Sequence, residues 1–193
     1  MPKILDDEQI FRAVIQTVSE NGYTGATTKQ MAAAADVSEV TLFRKYGSKE
    51  QLVKASISFI IGQADLKSAS QYSGNVQADL TRLVKTFHDI ADEYGEFFSI
   101  MIFELQRHLD LLDLVDEPMH MFMALMGLIT RYQEEGILVK EHPMIAWVSL
   151  VSPILIAFNM NKVVPDFELH IGDIDDHVTN FLAGRLNKAS KSS

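Results

Sequence analysis

Apolar residues recur at helical spacing almost from end to end of this chain, and no stretch alternates in the period of two that marks a strand. In residues 6–21, Ile10, Val14 and Val18 fall four apart and Phe11 joins their stripe. Asp6, Asp7 and Glu8 suit the positive N-terminal end of that helix, and Gly22 is a fitting stop. Thr28 is expected to cap a compact helix built from Met31 and Ala32 to Ala35. Asp36 then falls where the chain must turn, since Asp tolerates left-handed backbone angles. Ser38 caps a helix over 39–46, on which Leu42 and Tyr46 share an inward face, and Gly47 ends it. The next helix, 48–67, carries Leu52, Val53, Ile57, Ile60 and Ile61. A polar loop follows at 68–75. Five more helical patterns, over 76–94, 96–112, 117–135, 143–162 and 173–188, bring the expected total to nine in an all-α chain.

The run 144–160 has no charged residue. It falls short of the roughly 20 residues a bilayer span requires, and it contains Ser149, Ser152 and Pro153. A helix apolar on all sides in a soluble protein is buried from several directions. Burial in a core or against a second copy of the chain is therefore expected, with no membrane, and with Pro153 bending the helix.

Residues 28–52 organise the rest. A small helix, a turn of three to four residues, and a short second helix with a free polar face make a helix-turn-helix pattern. In that arrangement the second helix enters the DNA major groove, where base edges are distinguishable. An ordinary helical hairpin has the same spacing. Further residues bear on the choice. Thr27-Thr28, Met31-Ala32, Ala35, Val37-Ser38, Thr41-Leu42-Phe43, Tyr46 and Ser48 to Leu52, with the approach from Phe11 through Asn21 to Ala26, resemble the N-terminal signature of the TetR family of transcriptional regulators. The resemblance covers about the first quarter of the chain. Two positions depart from it: Asp36 stands where Gly is usual, and Phe43 stands where a Tyr hydroxyl commonly meets a phosphate. The resemblance implies a three-helix DNA-binding domain at 1–50. It also implies a larger helical domain at 51–193 that binds an effector, and a homodimer held through the last two helices.

Composition adjusts this picture. The 193 residues include 47% hydrophobic types, enough for a sizeable core, and no Cys, so disulfides and thiolate metal sites are excluded. The N-terminal residues lead into acidic Asp6 to Glu8 rather than an apolar run, and a cytoplasmic protein is expected. Net charge is −9, which argues against indiscriminate nucleic-acid binding. The negative charge is concentrated beyond residue 50. Residues 1–50 carry six basic against seven acidic side chains, with Arg44, Lys45 and Lys49 clustered at the expected DNA face.

For base edges the candidates are Glu39, Val40 and Arg44. Arg grips guanine O6 and N7, Glu accepts from cytosine N4, and Val meets a thymine methyl. Thr28, Thr41, Lys45, Ser48 and Lys49 suit phosphates, and Ser38 and Phe43 complete the surface. For an apolar ligand the middle helices offer Phe97, Met101, Phe103, Phe122, Met123, Met126 and Trp147, although plain core packing is what a Met or Phe stripe usually means. Arg107, His108, His120 and Asn159 are possible polar anchors. His108, Asp110, Asp113, Asp116 and His120 lie close in sequence, but no pair has the i, i+4 His spacing of a helical zinc site, so no metal is expected. No Gly-x-Ser-x-Gly, Gly-rich phosphate loop or Cys points to catalysis, and neither an enzyme nor a cofactor is expected. The resulting expectation is an operator-binding regulator, a repressor released by a small, mainly apolar effector. Two other readings stay open: a DNA-binding dimer without a small-molecule ligand, and a helical ligand-binding protein or enzyme that has lost operator binding.

Overall fold

The computed structural model describes residues 6–105, 116–164, 166 and 168–186. Among these residues it has nine helices and no strand. They are α1 (Asp7–Gly25), α2 (Thr28–Ala34), α3 (Glu39–Tyr46), α4 (Lys49–Gln63), α5 (Leu66–Ala69), α6 (Val76–Leu105), α7 (Asp116–Glu134), α8 (Pro143–Val163) and α9 (Ile174–Ala183). The chain divides into two compact units: Met1–Gln63 with Tyr94–Pro118, and Ala64–Glu93 with Met119–Ser193.

The first unit is built on one apolar cluster. Ile10, Val14 and Val18 of α1 meet Met31 of α2, Leu42 of α3, and Leu52, Val53, Ile57 and Ile60 of α4, all buried. Tyr94, Phe97 and Met101 of α6 join them. Phe11 sits between two rings, 5.8 Å from Tyr46 edge-on and 5.5 Å from Phe59, which ties α3 to α1 and α4.

The second unit buries Leu80, Leu83 and Val84 of α6, Leu128, Ile129 and Tyr132 of α7, Leu150 and Ile154 of α8, and Val178, Phe181 and Leu182 of α9. The same unit also buries a carboxylate. Asp79 is fully buried and accepts hydrogen bonds from the Ser73 backbone N–H (2.7 Å), the Ser73 hydroxyl (2.6 Å), the Tyr132 hydroxyl (2.5 Å) and Arg82 Nη2 (2.9 Å). Burial alone would raise its pKa. The hydrogen bonds from Ser73, Tyr132 and Arg82 outweigh that and hold it below the usual carboxylate value. Elsewhere in the unit, His177 of α9 hydrogen-bonds the Leu150 carbonyl of α8 through Nε2 at 2.7 Å, three residues before Pro153.

Several expected boundaries move. The patterns at 76–94 and 96–112 are one helix of 30 residues as far as Leu105, and Gly95 is buried inside it. A helical Gly costs about 1 kcal/mol relative to Ala, which the burial of Tyr94, Phe97 and Met101 on either side offsets. The remainder of that pattern, with Arg107, His108, Asp110 and Asp113, lies outside the described residues. The helix after residue 48 ends at Gln63 rather than at 67. The short α5 then takes in residues 68 and 69, which the sequence assigned to a loop; Asp65 caps it, accepting from Ser68 N–H at 3.1 Å. In α1, Gly22 adopts φ 71° and breaks the regular helix where the stop was expected, although one more turn runs to Gly25.

Helix α8 is, among the described residues, the one helix long and apolar enough to cross a bilayer by length and composition, with a mean hydropathy of 1.7. One face packs inward through Ala146, Trp147, Leu150, Val151 and Ile154. Met144, Ile145, Val148 and Ile156 are exposed.

Candidate nucleic-acid interface

Local capping chemistry fixes the shape of the α2–turn–α3 segment. The N-cap of α2 is Thr27, not the expected Thr28. Thr27 Oγ1 accepts from the Gln30 N–H (3.2 Å), and Gln30 Oε1 accepts from the Thr27 N–H (2.9 Å), a reciprocal capping box. A cap needs its acceptor three residues before a Gln or Glu to close that box. The Thr27–Gln30 spacing meets the condition, and Thr28, three before Met31, does not. The helix ends in a Schellman closure. The Val37 N–H donates to the Ala32 carbonyl (3.0 Å) and the Asp36 N–H to the Ala33 carbonyl (3.2 Å). Asp36 occupies the left-handed position, with φ 54°. Ser38 then caps α3, accepting from Thr41 N–H at 3.1 Å, and Gly47 ends it with φ 81°.

Leu42 anchors α3 in the core. Tyr46 donates from its hydroxyl to Asp7 Oδ1 at 2.9 Å. Burial and that carboxylate push its pKa well above the ordinary value. The opposite face is open. Val40 is 77% exposed and Phe43 51%, and Arg44 beside them is exposed. Residues 40, 43 and 44 are spaced i, i+3, i+4 and so share one face.

The remaining expected DNA-facing residues are already engaged within the chain. Thr28 donates its hydroxyl to the Glu39 carboxylate. Lys45 pairs with Asp7, and this hydrogen bond is the main reason the Asp7 carboxyl is held below its usual pKa. Lys49 donates its ammonium to the Tyr23 carbonyl and lies 4.2 Å from the centre of the Tyr23 ring. Burial lowers its pKa, while the charge of Glu104 raises it. Glu104 also accepts from the Thr24 hydroxyl at 3.2 Å. Ser48 caps the start of α4, accepting from Gln51 N–H at 3.2 Å. Thr28, Phe43 and Ser48 border one narrow crevice with Leu42 and Leu52. The intramolecular partners Asp7, Tyr23 and Glu104 lie too far away in sequence for local spacing to reveal.

The seven expected ligand contacts do not share one cavity. Phe97 and Met101 are closed core positions of the first unit, and Phe103 is 66% exposed. In the second unit, Trp147 is buried between the edge-on rings of Phe122 (5.2 Å) and Phe87 (5.8 Å). Met123 and Met126 line an open groove of about 570 Å³, together with Gly127, Thr130, Arg131, Glu134, Glu135, His142 and Pro143. Among the described residues there is no group of three or more His, Asp or Glu side chains placed to hold a metal ion, and His120 is exposed.

Residues 10–56 match the family model described as bacterial regulatory proteins, tetR family. A relative in Bacillus subtilis (strain 168), an uncharacterized HTH-type transcriptional regulator called YvkB, is 27% identical over 128 residues; the aligned part is 66% of this chain and 60% of that protein. The fold is similar to that of a TetR family transcription regulator from Marinobacter aquaeolei VT8, with a TM-score of 0.75, 19% identity, and 94% of this chain and 96% of the other covered. It is similar as well to the fatty acid degradation regulator FadR from Bacillus halodurans, with a TM-score of 0.71, 20% identity, and coverage of 92% and 96%.

Proposed function

We propose that this chain is a transcriptional regulator of the TetR family that binds a two-fold operator in double-stranded DNA as a homodimer and acts as a repressor released by a small, mainly apolar effector. One observation carries the reading. A helix of eight residues is capped at both ends and anchored by Leu42, and it turns Val40, Phe43 and Arg44 to solvent on a single face. That is the geometry a major-groove reader needs. Thr28, Thr41, Lys45, Ser48 and Lys49 hold phosphates around it, with Ser38 and Glu39 at its leading end. DNA then competes with Asp7 for Lys45 and with the Tyr23 carbonyl for Lys49.

The reading head is residues 1–50, and the rest of the chain dimerises and receives the effector. A single head reads one half-site, so a second copy is needed mechanically. The exposed Met144, Ile145, Val148 and Ile156 on α8 suit a pairing surface formed by the last two helices. The effector reaches the second unit beside Met123, Met126, Phe122 and Trp147, and must prefer the conformation whose heads no longer fit the operator. A shift of α4 carries that preference to the heads. The protein works in the cytoplasm, where its DNA is. The closed packing of Phe97 and Met101 favours a second reading, in which the same dimer binds DNA without any small-molecule ligand. A thermal-shift series with hydrophobic compounds separates the two, because only an effector-binding chain gains stability from one of them.

The experiment for the main reading is selection of bound duplexes from a random-sequence library at moderate salt. Enrichment of a motif repeated with two-fold symmetry supports operator binding. A bound pool as random as the input overturns it.

A further inference from the structure

The outward face of α3 is more apolar than its sequence suggests, because its polar neighbours point back into the chain. Glu39 accepts from Thr28, and Lys45 is paired with Asp7. Beyond the helix, Lys49 is held by the Tyr23 carbonyl. What faces solvent along the i, i+3, i+4 line is a valine at 77% exposure, a phenylalanine at 51% and the Arg44 guanidinium. Two large apolar side chains left open side by side on an eight-residue helix are not required by the fold. Their neighbour Leu42 already supplies the anchor, and Val40 in particular stands almost clear of the chain.

A major groove presents one apolar group to such a face, the C5 methyl of thymine. We propose that Val40, flanked by Phe43, reads a thymine methyl in each half-site, so that the operator is recognised by a methyl contact beside the guanine contact of Arg44. The inference rests on the operator reading above and names what that face selects. Phe43 carries no hydroxyl, so at this position the ring contributes apolar area and no hydrogen bond to a phosphate. Burying one methyl group is worth about 0.8 kcal/mol, which is about fourfold in affinity, and about fifteenfold over two half-sites.

Deoxyuridine pairs as thymidine does and lacks only that methyl, so it is the direct probe. Duplexes enriched from the random library are prepared twice, once with thymine and once with uracil throughout, and titrated with the full-length protein. The expected result is binding weakened about fourfold to fifteenfold by uracil. The loss should be traceable to one thymine per half-site by single replacements. Val40→Ala should bind the thymine duplex at about the parent's uracil level and should no longer distinguish the two. Phe43→Ala should reduce the discrimination in part. Val40 is largely exposed, so its truncation leaves the fold intact, and far-ultraviolet circular dichroism checks this. Equal binding of thymine and uracil duplexes by the parent overturns the inference while leaving operator binding in place. So does a Val40→Ala protein that keeps the parent's discrimination. Failure to enrich any duplex overturns the operator reading itself, and this one with it.

Discussion

Asp7 is one residue with two consequences. Its carboxylate receives both the Lys45 ammonium and the Tyr46 hydroxyl, so it helps fasten α3 to α1 while neutralising a cation at the edge of the candidate interface. Its depressed pKa means the clasp is complete above the ordinary carboxylate value of 3.8 and is lost as pH falls through the lower folded-state value. The pair is about half exposed, so its contribution to stability is small, below about 1 kcal/mol. Asp7→Asn should therefore lower the unfolding free energy by less than about 1 kcal/mol. It should also tighten binding to operator and random duplexes alike, steepening the salt dependence by about one phosphate contact. Unchanged affinity on both duplexes would mean that Lys45 lies away from the DNA. The sequence exposed Lys45 as a basic residue in the right place but not its partner 38 positions earlier, since only the packing of α3 on α1 brings the two together.

At the scale of elements, short-range chemistry was legible and long-range continuity was less so. Caps, stops and apolar stripes depend on residues within one or two turns, and the boundaries of α2, α3 and α8 fall within about a residue or two of the sequence reading. The patterns expected at 76–94 and 96–112 join into one helix across Gly95, because apolar neighbours packed in a core offset the cost of a helical Gly. The α2–α3 turn gives an element-scale prediction. Asp36 holds the left-handed position of a Schellman closure, where Ala has neither the side-chain oxygen nor the backbone freedom to be comfortable. Asp36→Ala should cost about 1 kcal/mol in chemical denaturation, and Asp36→Gly should be at least as stable as the parent. Equal stability of the alanine variant would show that the turn is not constrained at this residue.

At the scale of the whole molecule, a chain of net charge −9 holds two of its candidate DNA-facing cations, Lys45 and Lys49, in contacts of its own. On the proposed operator reading, ionic attraction alone gives little hold on DNA, and contacts to base edges carry correspondingly more of the preference. The second unit has its own internal charge, Asp79, which the helical spacing of its neighbours Leu80, Leu83 and Val84 gives no reason to single out. Its four donors come from a loop, its own helix and α7, a convergence visible only in three dimensions. An amide keeps one acceptor oxygen but turns an NH2 group against the two donors of the other, so Asp79→Asn should cost about 3 kcal/mol at neutral pH. Because the folded-state pKa lies below 3.8, the parent's advantage should be constant above about pH 5. It should shrink as pH falls further and Asp79 is protonated in the folded chain. Urea denaturation from pH 7 to pH 3 measures both, and a difference independent of pH would contradict the assignment.

The most direct test of α3 as the reading element is the affinity of Arg44→Ala for an enriched duplex and for a shuffled duplex of the same composition, at one salt concentration. Arg44 is exposed on the open face of α3, so its loss should weaken binding to the enriched duplex by about 1–3 kcal/mol and leave the shuffled duplex nearly unchanged. An equal loss on both duplexes would make Arg44 a phosphate contact, and no loss on either would remove α3 from the groove.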